Sequence, residues 1–440
     1  MRKASDAGRQ TETGKERRKR MGDRERAAAV ARVTAALRGK PEGAFVIRHA
    51  VKADARGILP GAWVSVTDDG VIDAVGVGDA DCETRIAHLG GSGRVGVIDA
   101  DGMLVTPGYV DIHAHGAWEC SFDDPDPEAI DAARACHLLH GTTRQALSLI
   151  TNPLGEMERN LRRVKAAAAT LPDVLGAHLE GPFLALSRKG AHDPNCLTDP
   201  TPERVERLLE AADGSLRQIT LAPERAHGME AIRRFAAAGV VPAVGHCDAD
   251  YATARAAFDA GARIMTHMFN AMNGLHHREP GPIPAAAEDA RVSVELINDG
   301  FHVADPALRL GLGFAPHRIA FVTDAMAATG CADGAYKLGA LDVTVTDGHA
   351  RLVSNGAIAG STLTLDVAVR RAVRELGMGL ADALEAATLT PARALGLDRP
   401  NPVTGAPLGL VAPGYAADLL LTDPGTLEVR HVWCAGRRAL

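Results

Sequence analysis

Six residues of the kinds that hold metal ions or move protons stand at the ends of apolar runs. "VTPGYVDIHAH" ends in His113 and His115, "VLGAHLE" in Glu180, "VPAVGH" in His246, "ARIMTH" in His267 and "IAFVTD" in Asp324. Side chains alternate along an extended strand, so an HxH pair aims both imidazoles at one point. Imidazoles with carboxylates, and no set of thiolates, suit a divalent cation that keeps one position open for water. Such a centre activates water or polarises a carbonyl. Glu180 sharpens the case, because a carboxylate ending a buried strand is costly unless a cation, a proton or several donors meet it. Taken singly, each residue has an ordinary explanation. HxH pairs occur on surface strands, and a strand-end histidine can be a hydrogen-bonded core residue. Asp324 could cap the "AMAATG" stretch, and Glu180 could accept from the "GP" bend that follows it. Cys247 follows His246 but should face the other side of its strand, where it packs.

These residues need elements that bring them to one place. From 105 to 412, apolar strands such as "RQALSLI", "RQITLAPE", "VSVELINDG" and "RIAFVTDAM" alternate with Ala-rich helical stretches such as "AIDAARACHLLHG" and "MERNLRRVKAAAA". This alternation predicts an α/β fold, a (β/α)8 TIM-like barrel, whose strand C-termini share one face and build the site there. Five strands then deliver four histidines and two acids to a single mouth. Short alternating strands at 45–104 and 413–440, such as "AWVSVTDDGVIDAVG" and "LEVRHVWCAG", predict a small β-sandwich domain formed by the two terminal segments. Residues 1–44 read as a basic, disordered arm.

Composition narrows the function classes. The 440 residues are 46% hydrophobic and carry a net charge of −7. No apolar run reaches the length of a membrane helix, and the N-terminus lacks a secretory pattern, so a soluble, cytoplasmic protein is expected. Seven cysteines without a CxxC fit free thiols in a reducing compartment. Residues 1–40 hold thirteen Lys and Arg against five Asp and Glu, a surplus of eight that leaves −15 on the rest. The run "GKERRKRMGDRER" could bind nucleic acid or an anionic membrane; the simpler reading is a solvated arm, or an upstream extension with Met21 as the start. Nothing downstream supports a nucleic-acid function, and neither nucleic acid nor membrane is expected as a partner.

The motifs "TPGYVDIHAHG", "HLEGPFL" with "KGAHDP", "LAPE", "GHCDAD", "THMFNAM" with "HHREPG", "NDGFHV", "VTDAMAATG", "AGSTLTLDVAVR" and "TLTPARALGL" follow one another along the chain. In this order they resemble the N-acetylglucosamine-6-phosphate deacetylases of the amidohydrolase superfamily, from about residue 45 to the C-terminus. The resemblance implies that Glu180, His246 and His267 are metal ligands and that Asp324 is the catalytic acid and base. It implies one or two divalent metal ions per subunit, the second at His113 and His115, with Zn2+ or Fe2+ ahead of Mn2+ or Co2+. It assigns substrate contacts to Ala191 and His192 near the acetamide, to Asn270 and Ala271 on the sugar, and to the loop Ile358, Ala359 and Gly360. Arg278 and His302 would recognise the phosphosugar, and a homodimer with a phosphate contact crossing its interface is implied. One stretch departs from the pattern: "GAWECSFDDPDP" places Trp118, Glu119 and Cys120 where many relatives have a Gly-rich loop. That is either a harmless variant or a sign of another N-acetylated amino sugar, such as N-acetylgalactosamine 6-phosphate. The rival readings are an amidohydrolase acting on a cyclic amide or dipeptide, and a catalytically idle sugar-phosphate sensor. Asp324 argues against the sensor, since binding alone needs no acid/base.

Overall fold

A computed structural model describes residues 22–91 and 93–440. Eight parallel strands follow one another in sequence order around a barrel: Tyr109–Ala114, Thr142–Leu149, Val174–Glu180, Leu216–Leu221, Val241–Val244, Ile264–Met265, Ser293–Ile297 and Ile319–Val322. The first three are buried at every residue, as expected of parallel strands covered by helices outside and packed side chains inside. Helix Leu365–Arg374 shows how the outer layer is encoded. Its buried Leu365, Ala368, Val369 and Ala372 recur at the helical spacing, while Arg374 is exposed. The last and first strands are joined at their C-terminal ends. Asp324 N–H donates to the His113 carbonyl at 2.8 Å, His115 N–H to the Ala325 carbonyl at 2.7 Å, and Thr323 Oγ1 to Asp111 Oδ2 at 2.7 Å. This seam sets Asp324 beside the HxH pair.

The two terminal segments do pair with each other. Strands Phe45–Asp54, Gly57–Val66, Ile72–Val77, Gly96–Asp99 and Leu104–Pro107 join Leu419–Thr422, Val429–Cys434 and Arg437–Arg438 in one eight-stranded sheet. This is the expected small β domain, in which Phe45, Ile47, Val64 and Ile72 pack against Val105, Leu419, Leu421 and Trp433 in one buried core. Phe45 and Trp433 lie three strands apart in pairing order, about 14 Å if the sheet were flat, yet their rings stack at 5.8 Å. Leu104–Pro107 pairs antiparallel with Leu419–Thr422, so the sheet holds the chain to Pro107, past the expected edge at 104. A buried bidentate pair, Arg144 with Asp418 at 2.6 and 3.1 Å, ties barrel to sheet.

Residues 23–38, expected as part of a disordered arm, form an α-helix instead. Ala29, Val33 and Leu37 repeat every fourth residue and are buried in the main core, each large apolar side chain contributing about 1.5–3 kcal/mol. The helix packs on Pro127–Leu139, where fully buried Arg134 donates to Thr34 Oγ1 at 2.6 Å. The rest of the basic run, residues 1–21, lies outside the described residues. After the eighth barrel strand, Gly334–Leu338, Leu341–Thr346 and His349–Leu352 form a three-stranded antiparallel sheet that the sequence reading did not anticipate. Among the described residues no helix is long and apolar enough to cross a membrane.

Candidate active site

The strand ends deliver the six residues to one point. His246, His267 and Asp324 sit just past their strands in the left-handed backbone region, with φ of 47°, 26° and 49°. Non-glycine residues adopt it at a cost that clusters at functional sites. Two groups of donors result, His113–His115–Asp324 and Glu180–His246–His267, each with its ligand atoms within 4.8 Å of one another. Glu180 joins them. Its Oε1 lies 3.1 Å from both His246 Nε2 and His267 Nε2 and 3.4 Å from His113 Nε2. Its Oε2 lies 3.2 Å from His115 Nε2 and 3.3 Å from His192 Nε2. Asp324 Oδ1 stands 3.4 Å from His115 Nε2 and 3.7 Å from His113 Nε2.

The charges follow from this crowding. Burial opposes ionisation of Glu180, but His113, His192 and His246 outweigh it and hold its carboxyl well below the usual range. Asp324 is likewise held at about 2, against burial, by the His115 hydrogen bond and the nearby His113 charge. Burial would discharge His115, yet hydrogen bonds to Asp324 and Glu180 lift it to about 9, and Glu180 and Glu295 lift His113 well above its ordinary value. The two carboxylates therefore call for positive charge, which either imidazole protons or a cation can supply. The donor set fits a cation. His246 Nδ1–H donates to the Arg188 carbonyl at 2.8 Å, and because a carbonyl only accepts, Nε2 turns its lone pair into the centre, 3.0 Å from His267 Nε2. His192 differs: burial takes it down to about 4, so its imidazole is neutral near pH 7.

A cavity of about 360 Å3 opens over this centre. Of the residues singled out in the sequence, His115, Glu180, Ala191, His192, His246, His267, Asn270, Ala271, His302, Asp324, Ile358 and Gly360 line it. His113 is fully buried beneath, and Ala359 packs into an apolar cluster behind the loop. Arg278 does not join them. It sits on an exposed loop with Nη1 2.7 Å from His277 Nε2, outside this chain's own cavity. Trp118 is buried against Gly330 and Cys136 and Glu119 lines a neighbouring groove, so none of Trp118, Glu119 and Cys120 narrows the cavity. That groove is larger, about 880 Å3, but Glu119, Asp123, Asp124, Glu156 and Asp193 make it acidic and unsuited to an anion. Cys247 is buried in the core.

Three residues escaped the sequence reading. Arg188 lines the cavity, with its Nε donating to Asp248 at 2.7 Å and its Nη2 to Asn273 Oδ1. Asp299 holds His302 Nδ1 at 2.7 Å; burial would discharge His302, but this partner raises its pKa. Glu295 sits under the centre, 3.1 Å from His113 Nδ1.

A model of the amidohydrolase family matches residues 104–439. The chain is 36% identical over 348 residues to the N-acetylgalactosamine-6-phosphate deacetylase of Escherichia coli O157:H7, covering 78% of this chain and 90% of that protein. It is 31% identical over 379 residues to the N-acetylglucosamine-6-phosphate deacetylase of Vibrio furnissii, covering 86% and 90%. The crystal structure of N-acetyl-D-glucosamine-6-phosphate deacetylase from Mycobacterium smegmatis superposes with a TM-score of 0.80 at 36% identity, over 90% of this chain and 100% of that one. A β-aspartyl dipeptidase from Fervidobacterium islandicum, at 17% identity and a TM-score of 0.58, shares the fold alone.

Proposed function

The chain belongs to the amidohydrolase family, and from that premise we propose that it hydrolyses the acetamide of N-acetylglucosamine 6-phosphate, releasing acetate and glucosamine 6-phosphate. The observation that carries this reading is the convergence of Asp324, His192 and Glu180 with the imidazoles of His115, His246 and His267 on one cavity. One or two divalent cations would be held by Glu180, His246 and His267 and by His113, His115 and Asp324. Nitrogen and oxygen donors of this kind suit Zn2+ or Fe2+, and accept Mn2+ or Co2+. Bound there, the cation supplies Lewis acidity and makes water a nucleophile near neutrality.

The chain's own residues do the rest. Asp324, ionised and facing the cavity, accepts the proton of the attacking water and returns it to the amide nitrogen. That return is needed because an amine leaves poorly unless protonated. Neutral His192 donates its Nε2–H to the acyl oxygen as that atom gains charge. Asn270 and the Ile358–Gly360 loop embrace the sugar. His302, held at Nδ1 by Asp299, which raises its pKa, takes the phosphate inside the cavity. Arg278, exposed and outside its own cavity, serves the phosphate of a partner's site in a homodimer. We read the protein as a cytoplasmic enzyme of amino-sugar catabolism. The galacto epimer is the second reading, carried by the 36% identity to a deacetylase named for it.

The test is acetate release by the cation-loaded protein from N-acetylglucosamine 6-phosphate, its galacto epimer and unphosphorylated N-acetylglucosamine. The expected order places the phosphorylated gluco sugar first and the unphosphorylated sugar last. Preference for the galacto epimer would establish the second reading, and equal rates with and without phosphate would overturn both.

A further inference from the structure

Glu295 lies in the middle of the apolar strand Ser293–Ile297 and is fully buried. A carboxylate is a costly choice there, where Val or Leu would pack. Among the described residues no lysine or arginine pairs with it, and its ion-pair partner is His113, whose Nδ1 lies 3.1 Å from Oε2. Oε2 also accepts the backbone N–H of His267 at 3.2 Å, and Oε1 accepts from Gln218 Nε2 at 2.7 Å. Three donors thus converge on one carboxylate.

Oε2 already acts as an acceptor toward the His267 backbone N–H, so the hydrogen of the His113 contact is placed on Nδ1. That leaves His113 Nε2, 3.3 Å from His115 Nε2 and 3.4 Å from Glu180 Oε1, as the atom that would face a bound cation. His246, in the other donor group, takes the same tautomer from the Arg188 carbonyl and does not depend on Glu295. His267 meets Glu295 only through its backbone. We infer that Glu295 is a positioning residue that fixes His113 as the Nδ1–H tautomer and so makes His113, His115 and Asp324 a cation subsite distinct from Glu180, His246 and His267. The inference rests on the two-cation form of the reading above.

The experiment counts cations per chain by equilibrium dialysis against Zn2+ followed by elemental analysis. Wild type should bind two. Glu295→Leu removes the acceptor and should keep the first cation while weakening the second about 100-fold. Glu295→Gln should rescue most of that loss. Gln218 Oε1 has no partner, so its amide can turn to meet the new amide group and leave an oxygen on His113. Two cations of wild-type affinity in Glu295→Leu, equal loss of both, or no rescue by Gln would each overturn the inference. If the Leu variant fails to fold, 15N NMR of zinc-loaded wild type decides, with His113 assigned by His113→Gln. Nδ1–H at His113 is expected, and Nε2–H would overturn the assignment. A wild type that binds one cation yet releases acetate would overturn this inference and leave the reaction standing. Two cations without acetate release would do the reverse.

Discussion

Stripping the cation should make stability depend on pH in a way the loaded protein does not share. His115 stands at about 9 in the folded chain against 6.5 for a free imidazole. That gap of about 2.5 pH units corresponds to ~3 kcal/mol. Asp324, at about 2 against 3.8, reports the same contact as ~2 kcal/mol. The His115 figure is larger because it also contains the contact with Glu180. A raised folded pKa stabilises fully below the unfolded value, so chelated protein should be most stable below about pH 6.5 and lose that increment as pH climbs to 9. His113, also raised, adds to the same loss. A cation that displaces these protons removes the dependence. For a chain of this length ~3 kcal/mol corresponds to about 3–6 °C in Tm. Melting curves of chelated and zinc-loaded protein between pH 6 and 9 read this directly, and chelated His115→Gln should lose much of the slope. Parallel slopes for chelated and loaded wild type would refute the charge assignment.

Three further outcomes follow from particular contacts. Asp299→Asn removes the anion from His302, a charge-assisted contact of 2.7 Å, and should raise KM for the phosphorylated sugar about tenfold while kcat changes little, as steady-state kinetics would show. Asp418→Ala strands the buried Arg144 guanidinium at the barrel–sheet junction and should cost about 3–5 kcal/mol in urea unfolding. Gly245→Ala puts a Cβ 2.6 Å from Thr266 Cβ and 3.0 Å from Thr220 Cγ2, one residue before His246. It should cost about 1–3 kcal/mol and lower kcat, measured together by melting and initial rates.

The sequence exposed the centre because barrel topology turns strand ends into neighbours, so residues more than two hundred positions apart, His113 and Asp324, could be placed together from apolar runs alone. Glu295 stayed hidden because it sits inside such a run, where a strand-end rule does not look. A carboxylate flanked on both sides by buried apolar residues was the available signal. The helix 23–38 was masked by its arginines, although Ala29, Val33 and Leu37 already kept a helical spacing. Arg278 was read as a group that recognises the phosphosugar, and spacing says nothing about which way an exposed loop such as 274–279 projects. The small terminal β domain was legible as paired termini, but its strand order was not, because that order is set by long-range pairing that alternation does not record.

The most direct test of the central claim is to count products. Cation-loaded wild type incubated with N-acetylglucosamine 6-phosphate should give acetate and free amine in equal amounts, followed by 1H NMR. Asp324→Asn, folded and binding the sugar, should fall by about 10²–10⁴-fold in kcat, since it can neither take the water's proton nor return it to the nitrogen. Undiminished turnover in Asp324→Asn, or no acetate from wild type, would contradict the account.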